Sequence, residues 1–157
     1  MVAWTLVFLG VIMGCTSSAD RLLGSIPTTA AGRSFDRVTV VDASYLSGHP
    51  VDDVLAALGK SRSDAVAVFR DAADGSGTMG AVAVRDVDGV TLLHAVTAHW
   101  RSAAVTGRSE TDVDGKHVWL LSERLGYLVA AYVRTDVVYI VSANDLTTLE
   151  ALLRSMP

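Results

Sequence analysis

The 157-residue chain contains a single cysteine and only three prolines. One thiol cannot close an intramolecular disulfide, and it rules out metal centres built from four cysteines or from two cysteines and two histidines. Positive charge is sparse as well. Thirteen Lys and Arg residues are scattered singly, the formal net charge is −4, and no cluster offers the basic footprint that a phosphate backbone selects. No nucleic-acid partner is expected. Catalytic signatures are missing: there is no G-x-S-x-G elbow, no S-x-x-K and no G-x-x-x-x-G-K-S/T. The sequence therefore assigns no catalytic residue and no cofactor. What it does hold is enough apolar content to fold, with 50% hydrophobic and 19% charged residues in a length suited to one domain.

The first fifteen residues read MVAWTLVFLGVIMGC. Val2 to Gly14 carry no charge, and at about 1.5 Å per residue they cover about 20 Å of a hydrocarbon core about 30 Å thick. The run is short for a span and fits the h-region of a signal peptide, about 7 to 15 residues long. Ile12-Met13-Gly14-Cys15 resembles the lipobox of bacterial lipoproteins. That resemblance implies cleavage between Gly14 and Cys15, lipidation of the Cys15 thiol, and a chain held by membrane lipid on the extracytoplasmic face of the cell membrane. Two features depart from the pattern: Met13 is bulkier than usual, and MVAWT has no Lys or Arg. The competing reading is an uncleaved hydrophobic helix, either anchoring the protein or packed in a core.

Three segments follow from this division: a signal peptide over 1–14, a lipidated cysteine with a flexible tether over 15–35, and a single α+β domain over 36–157. The tether is expected from TSSADRLLGSIPTTAAGRSF, which is rich in Ser, Thr, Ala and Gly and keeps no steady period. Twenty flexible residues would reach about 25 Å on average.

In the remaining chain, RVTVV at 37–41 alternates as a strand. Val51, Val54, Leu55 and Leu58 mark one face of a short helix, with Asp52 and Asp53 at its positive end. DAVAVFR at 64–70 and MGAVAVR at 79–85 flank an Asp- and Gly-rich loop, a hairpin pattern. Helical spacing returns through Val90, Leu93, Val96 or Thr97, and Trp100. HVWLL, GYLVAAYVR and VVYIVSA read as late strands, the last two as a second hairpin. Asn144-Asp145 then caps a closing helix with Leu146, Leu149, Leu152 and Leu153 on its apolar side. Hairpins that run into helices predict an α+β fold, an antiparallel sheet with helices packed mainly on one face. The final stretch, AYVRTDVVYIVSANDLTTLEALLRSMP, is similar to the ends of small lipoproteins from GC-rich bacteria, a resemblance that implies no activity.

Candidate chemistry is thin. The tetrapeptide DVDG occurs at 86–89 and 112–115, but neither copy has the third acidic position or the distant Glu of a calcium loop, so turning and helix capping explain both. Ser76, between two glycines, reads as a hairpin loop. His94 and His99 are five apart and point about 140° away from each other on a helix. With His49 in a turn and His117 at the start of a strand, no metal site is assigned. Trp119, Tyr127, Tyr132 and Tyr139 cluster in the late strands, either as a binding platform on an open sheet or as core. Together these features point to a membrane-anchored binding or interaction module, with an envelope protein as a candidate partner. The alternative is an accessory or inhibitor domain of an envelope enzyme.

The lipoprotein resemblance predicts that Cys15→Ala, or an inhibitor of the lipoprotein signal peptidase, leaves unprocessed precursor. Intact-mass measurement checks it, and an unchanged mature mass in both cases would contradict it.

Overall fold

The structure is a computed structural model that describes residues 17–45, 50–102, 105–123 and 126–157. Gly14 and Cys15, on which the lipoprotein resemblance rests, and His49 lie outside the described residues. The described chain opens with helix α1 (Ser18–Ser25) and a small hairpin of β1 (Thr29–Ala30) and β2 (Arg33–Ser34). It continues through β3 (Arg37–Val41), α2 (Val51–Ala57), a 3-10 turn at Arg62–Asp64, β4 (Ala65–Asp71), β5 (Gly77–Val84) and α3 (Gly89–Ser102). The later elements are β6 (Val105–Val113), β7 (Lys116–Glu123), β8 (Leu128–Arg134), β9 (Val137–Ala143) and α4 (Leu146–Ser155). Strands β3 to β9 form one sheet in the order β3-β4-β5-β9-β8-β7-β6, antiparallel at every pair.

The α+β class and the antiparallel sheet agree with the sequence pattern. The helices differ from it, because they divide between the two faces instead of gathering on one. Side chains alternate across a strand, so one parity of each strand faces α1 and α4, and the other faces α2 and α3. Val68, Met79, Ala81, Ala130, Tyr132 and Val141 are buried with Leu149, Leu152 and Leu153 of α4. On the opposite face Ala67, Val82, Val84, Ala131 and Val138 are buried with Val54 and Leu55 of α2 and Leu92, Leu93 and Val96 of α3. The central strands β5, β8 and β9 are apolar on both sides for this reason.

Residues 17–35 correct the expectation of a flexible tether. Ser17 and Asp20 form a reciprocal capping box that starts α1. Ile26, Ala30 and Phe35 are buried in the same core as α4, and Phe35 is fully so. Arg33 completes the attachment, reaching Asp74 of the β4–β5 loop at 3.4 Å and the Thr148 hydroxyl of α4 at 3.5 Å. This segment is part of the domain.

The apolar faces of α3 and α4 depart from expectation at single residues. Val90 and Leu146 are exposed at 58% and 49%, whereas Leu92, absent from the expected stripe, is fully buried. Both exposed residues sit in the first turn, before their helices meet the sheet. Strand β6 has no counterpart in the sequence pattern, because its residues lack apolar alternation. It is an edge strand, where polar side chains guard unpaired backbone groups.

The Asp-Gly pairs serve as turns and caps. Asp114 and Gly115 both take positive φ, 52° and 74°, in the two-residue turn between β6 and β7. Asp88 accepts hydrogen bonds from the Thr91 backbone N–H at 2.9 Å and the Thr91 hydroxyl at 2.7 Å, capping α3. Those bonds, the hydroxyl's first, hold its carboxyl below the usual range. Asp145 caps α4 in the same way through Thr148. Among the late aromatics, Tyr132 and Tyr139 are buried and stacked at 5.3 Å between ring centroids, so they belong to the core rather than to a platform. Burial, and then the neighbouring Tyr139, push the Tyr132 phenol up.

If the N-terminal segment is part of the core, Phe35→Ala should cost about 3–5 kcal/mol, the usual range for emptying a buried aromatic site. Urea denaturation checks this. A change within about 0.5 kcal/mol, the surface value, would restore the tether.

Candidate functional site

An apolar cleft of about 290 Å³ lies between the sheet and the pair α2 and α3. Small-molecule sites begin at about this size. Its floor is set by strand register. Thr39, Phe69, Gly80 and Ile140 are successive cross-strand partners on β3, β4, β5 and β9, and their side-chain positions share one face. The next row holds Arg37, Asp71, Thr78 and Ser142. Thr39, Phe69 and Ile140 from the first row, Asp71 and Thr78 from the second, and Val82 beyond them line the cavity. Pro50, Val51 and Val54 of the α2 region and Val96 and His99 of α3 complete the wall.

Gly80 explains the shape of this floor. It has no side chain at the centre of a row whose neighbours are large, and a Cβ built there would overlap the Phe69 ring, coming within 2.7 Å of Cε1. The ring therefore lies across the glycine, flat against the sheet, and the space above stays open. Aromatic rings cover strand glycines in this way elsewhere.

The polar groups are few. Thr78 donates its hydroxyl to Asp71 Oδ1 at 2.6 Å. Among the described residues no further hydrogen bond or ion pair engages Asp71, so Oδ2 keeps its accepting capacity. His99 Nδ1 faces Asp53 Oδ2 of α2 at 3.6 Å, tying α3 to α2 along the wall. Nearby, Arg62 closes the base of α2 by donating twice to Asp52, at 2.6 Å from each nitrogen, and it also donates to the Tyr45 carbonyl. The Asp52 hydrogen bonds raise the Arg62 pKa. This bidentate pair fixes the start of α2 and so the height of the cavity wall. The chemistry on offer is recognition: an apolar enclosure with one accepting carboxylate and two hydroxyls at one side.

The other singled-out residues go elsewhere. His94 sits edge-on to Trp119 at 5.4 Å. His117 lies on the exposed sheet surface between Glu110 at 3.4 Å and Asp112 at 3.3 Å. Among the described residues no three metal-capable side chains gather at one point. Ser76 gives its backbone N–H and its hydroxyl to Asp74, as a turn residue does. Tyr127 is exposed on its own just before β8. No helix among the described residues is long and apolar enough to cross a membrane. Comparison with known proteins adds no relative: no family, curated protein or solved structure matches the chain.

Gly80→Ala tests how the cavity is kept open. The new methyl should drive the Phe69 ring off the sheet and into the cavity, destabilising the fold by about 1–3 kcal/mol as overpacking does. A crystal structure of the variant with Phe69 unmoved would show that the glycine does not shape the floor.

Proposed function

We propose that this protein is a lipid-anchored, extracytoplasmic binding module whose ligand site is the cavity beneath α2 and α3. The cavity is the observation that carries the binding half of this reading. A space of about 290 Å³ with apolar walls and polar groups along one side has the composition of a ligand site. The anchoring half rests on Ile12-Met13-Gly14-Cys15, whose resemblance to a lipobox makes Cys15 the lipidated residue and membrane lipid its first partner. Because α1 begins at Ser18, lipid on Cys15 would hold the domain close to the bilayer, with almost no tether between them.

The binding reading is tested with benzyl alcohol, a neutral and largely apolar probe, titrated into the full chain and followed by protein NMR. Saturable shifts should fall on Val54, Phe69, Val96 and Ile140. Val96→Trp, which places an indole in the cavity, should abolish them while the variant still melts cooperatively; Val54→Phe serves the same purpose if Val96→Trp does not fold. Shifts that persist in a folded, cavity-filled variant would move the site elsewhere.

A further inference from the structure

We infer that the ligand is a compact apolar molecule bearing one ammonium group, with its nitrogen seated on Asp71; this rests on the reading that the cavity is the binding site. Among the described residues the lining contains one carboxylate, Asp71, and no Lys or Arg. An ionised carboxylate only accepts hydrogen bonds, and Thr78 already serves Oδ1 at 2.6 Å. Whatever meets Oδ2 must donate.

The nearest alternative donor is Arg37, which stands opposite Asp71 in register. Its side chain is exposed, and it makes no ion pair with Asp71. The position that would neutralise Asp71 from inside the cavity is therefore left to a ligand. An ammonium carries three donors, and Asp71 Oδ2 and the neighbouring Thr78 hydroxyl are placed to accept from it. Thr78 keeps a lone pair even while it donates to Oδ1. The rest of the molecule would occupy the walls of Val51, Val54, Val82, Val96 and Ile140, with the Phe69 ring beneath it. Among the described residues the walls offer no further side-chain acceptor or donor except His99, which is turned toward Asp53, so that part is apolar.

The same geometry rejects anions. A carboxylate or phosphate ligand would bring like charge against Asp71. Neutral alcohols should enter, since one hydroxyl can donate to Oδ2, but without the opposite charge that an ammonium brings to the carboxylate. The ligand class is thus separated from its isosteres by head group alone.

Three probes of matched shape decide the matter with the full chain: 2-phenylethylamine, 2-phenylethanol and 3-phenylpropanoate, each titrated calorimetrically at neutral pH. The amine should bind at least about tenfold more tightly than the alcohol, the margin expected of the opposite charge it brings to Asp71, and the propanoate should not bind. Asp71→Asn keeps the acceptor for Thr78 and removes the charge. It should bring the amine down to about the affinity of the alcohol. Equal affinities in the wild type, binding of the propanoate, or an amine affinity untouched by Asp71→Asn would each overturn the proposal while leaving the cavity as a binding site. If none of the three binds, the proposal and the binding reading both fall. Should Asp71→Asn not fold, the order of the three wild-type affinities decides alone.

Discussion

The pairing of β5 with β9 is the contact on which the rest of this structure depends. Strand β9 enters between β5 and β8, and six register pairs from Gly77↔Ala143 to Val82↔Val138 join the first three sheet positions to the last four. Only a narrow set of residues permits it. A Cβ on Gly77 would lie 2.8 Å from the Ser142 carbonyl oxygen and 3.0 Å from the Leu152 side chain, so the approach of β9 and α4 needs a glycine there. Without this pairing neither face of the sheet is continuous. Each helix layer would then lose part of the surface it covers.

Burial on both faces follows, and so does the cavity. The two hairpin-and-helix units, β4-β5-α3 and β8-β9-α4, send their helices to opposite sides. On the α4 side, Met79, Tyr132 and Tyr139 are buried with Leu149, Leu152 and Leu153 of α4. On the α3 side the floor carries Thr39, a glycine under a phenylalanine, and the short pair Asp71 and Thr78. The volume missing from that face is the cavity volume. Asp71 stands at its side, and Thr78 meets one of its two carboxylate oxygens. The proposed amine is the group that completes this arrangement.

Much of the fold can be read from the chain. Helices α2 to α4, strands β3 to β5 and β7 to β9, and the caps at Asp88 and Asp145 all carry period, propensity or turn chemistry in the local sequence. Helix α1 is hidden, because Ser, Thr, Ala and Gly dilute the apolar set of Leu22, Leu23, Ile26 and Phe35. The usable signal is the Ser17-x-x-Asp20 box. Strand β6 is hidden for the opposite reason, since an exposed edge has no inner face to pattern. The division of helices between faces is not a local property of any segment. It follows from where β9 inserts. The cavity is legible only in fragments: His99 is conspicuous as a histidine and Asp71 as the start of an acidic loop, but register and topology alone bring them to one wall with Thr39, Phe69 and Ile140.

The central claim is that the space between the sheet and α2 and α3 exists to hold a small molecule. The measurement that bears on it most directly is a crystal structure of the protein grown with 2-phenylethylamine. The account predicts the phenyl ring among Val54, Phe69, Val96 and Ile140, with the nitrogen within hydrogen-bond distance of Asp71 Oδ2. A cavity closed by the protein's own side chains, with the amine absent or bound only at the surface, would contradict it.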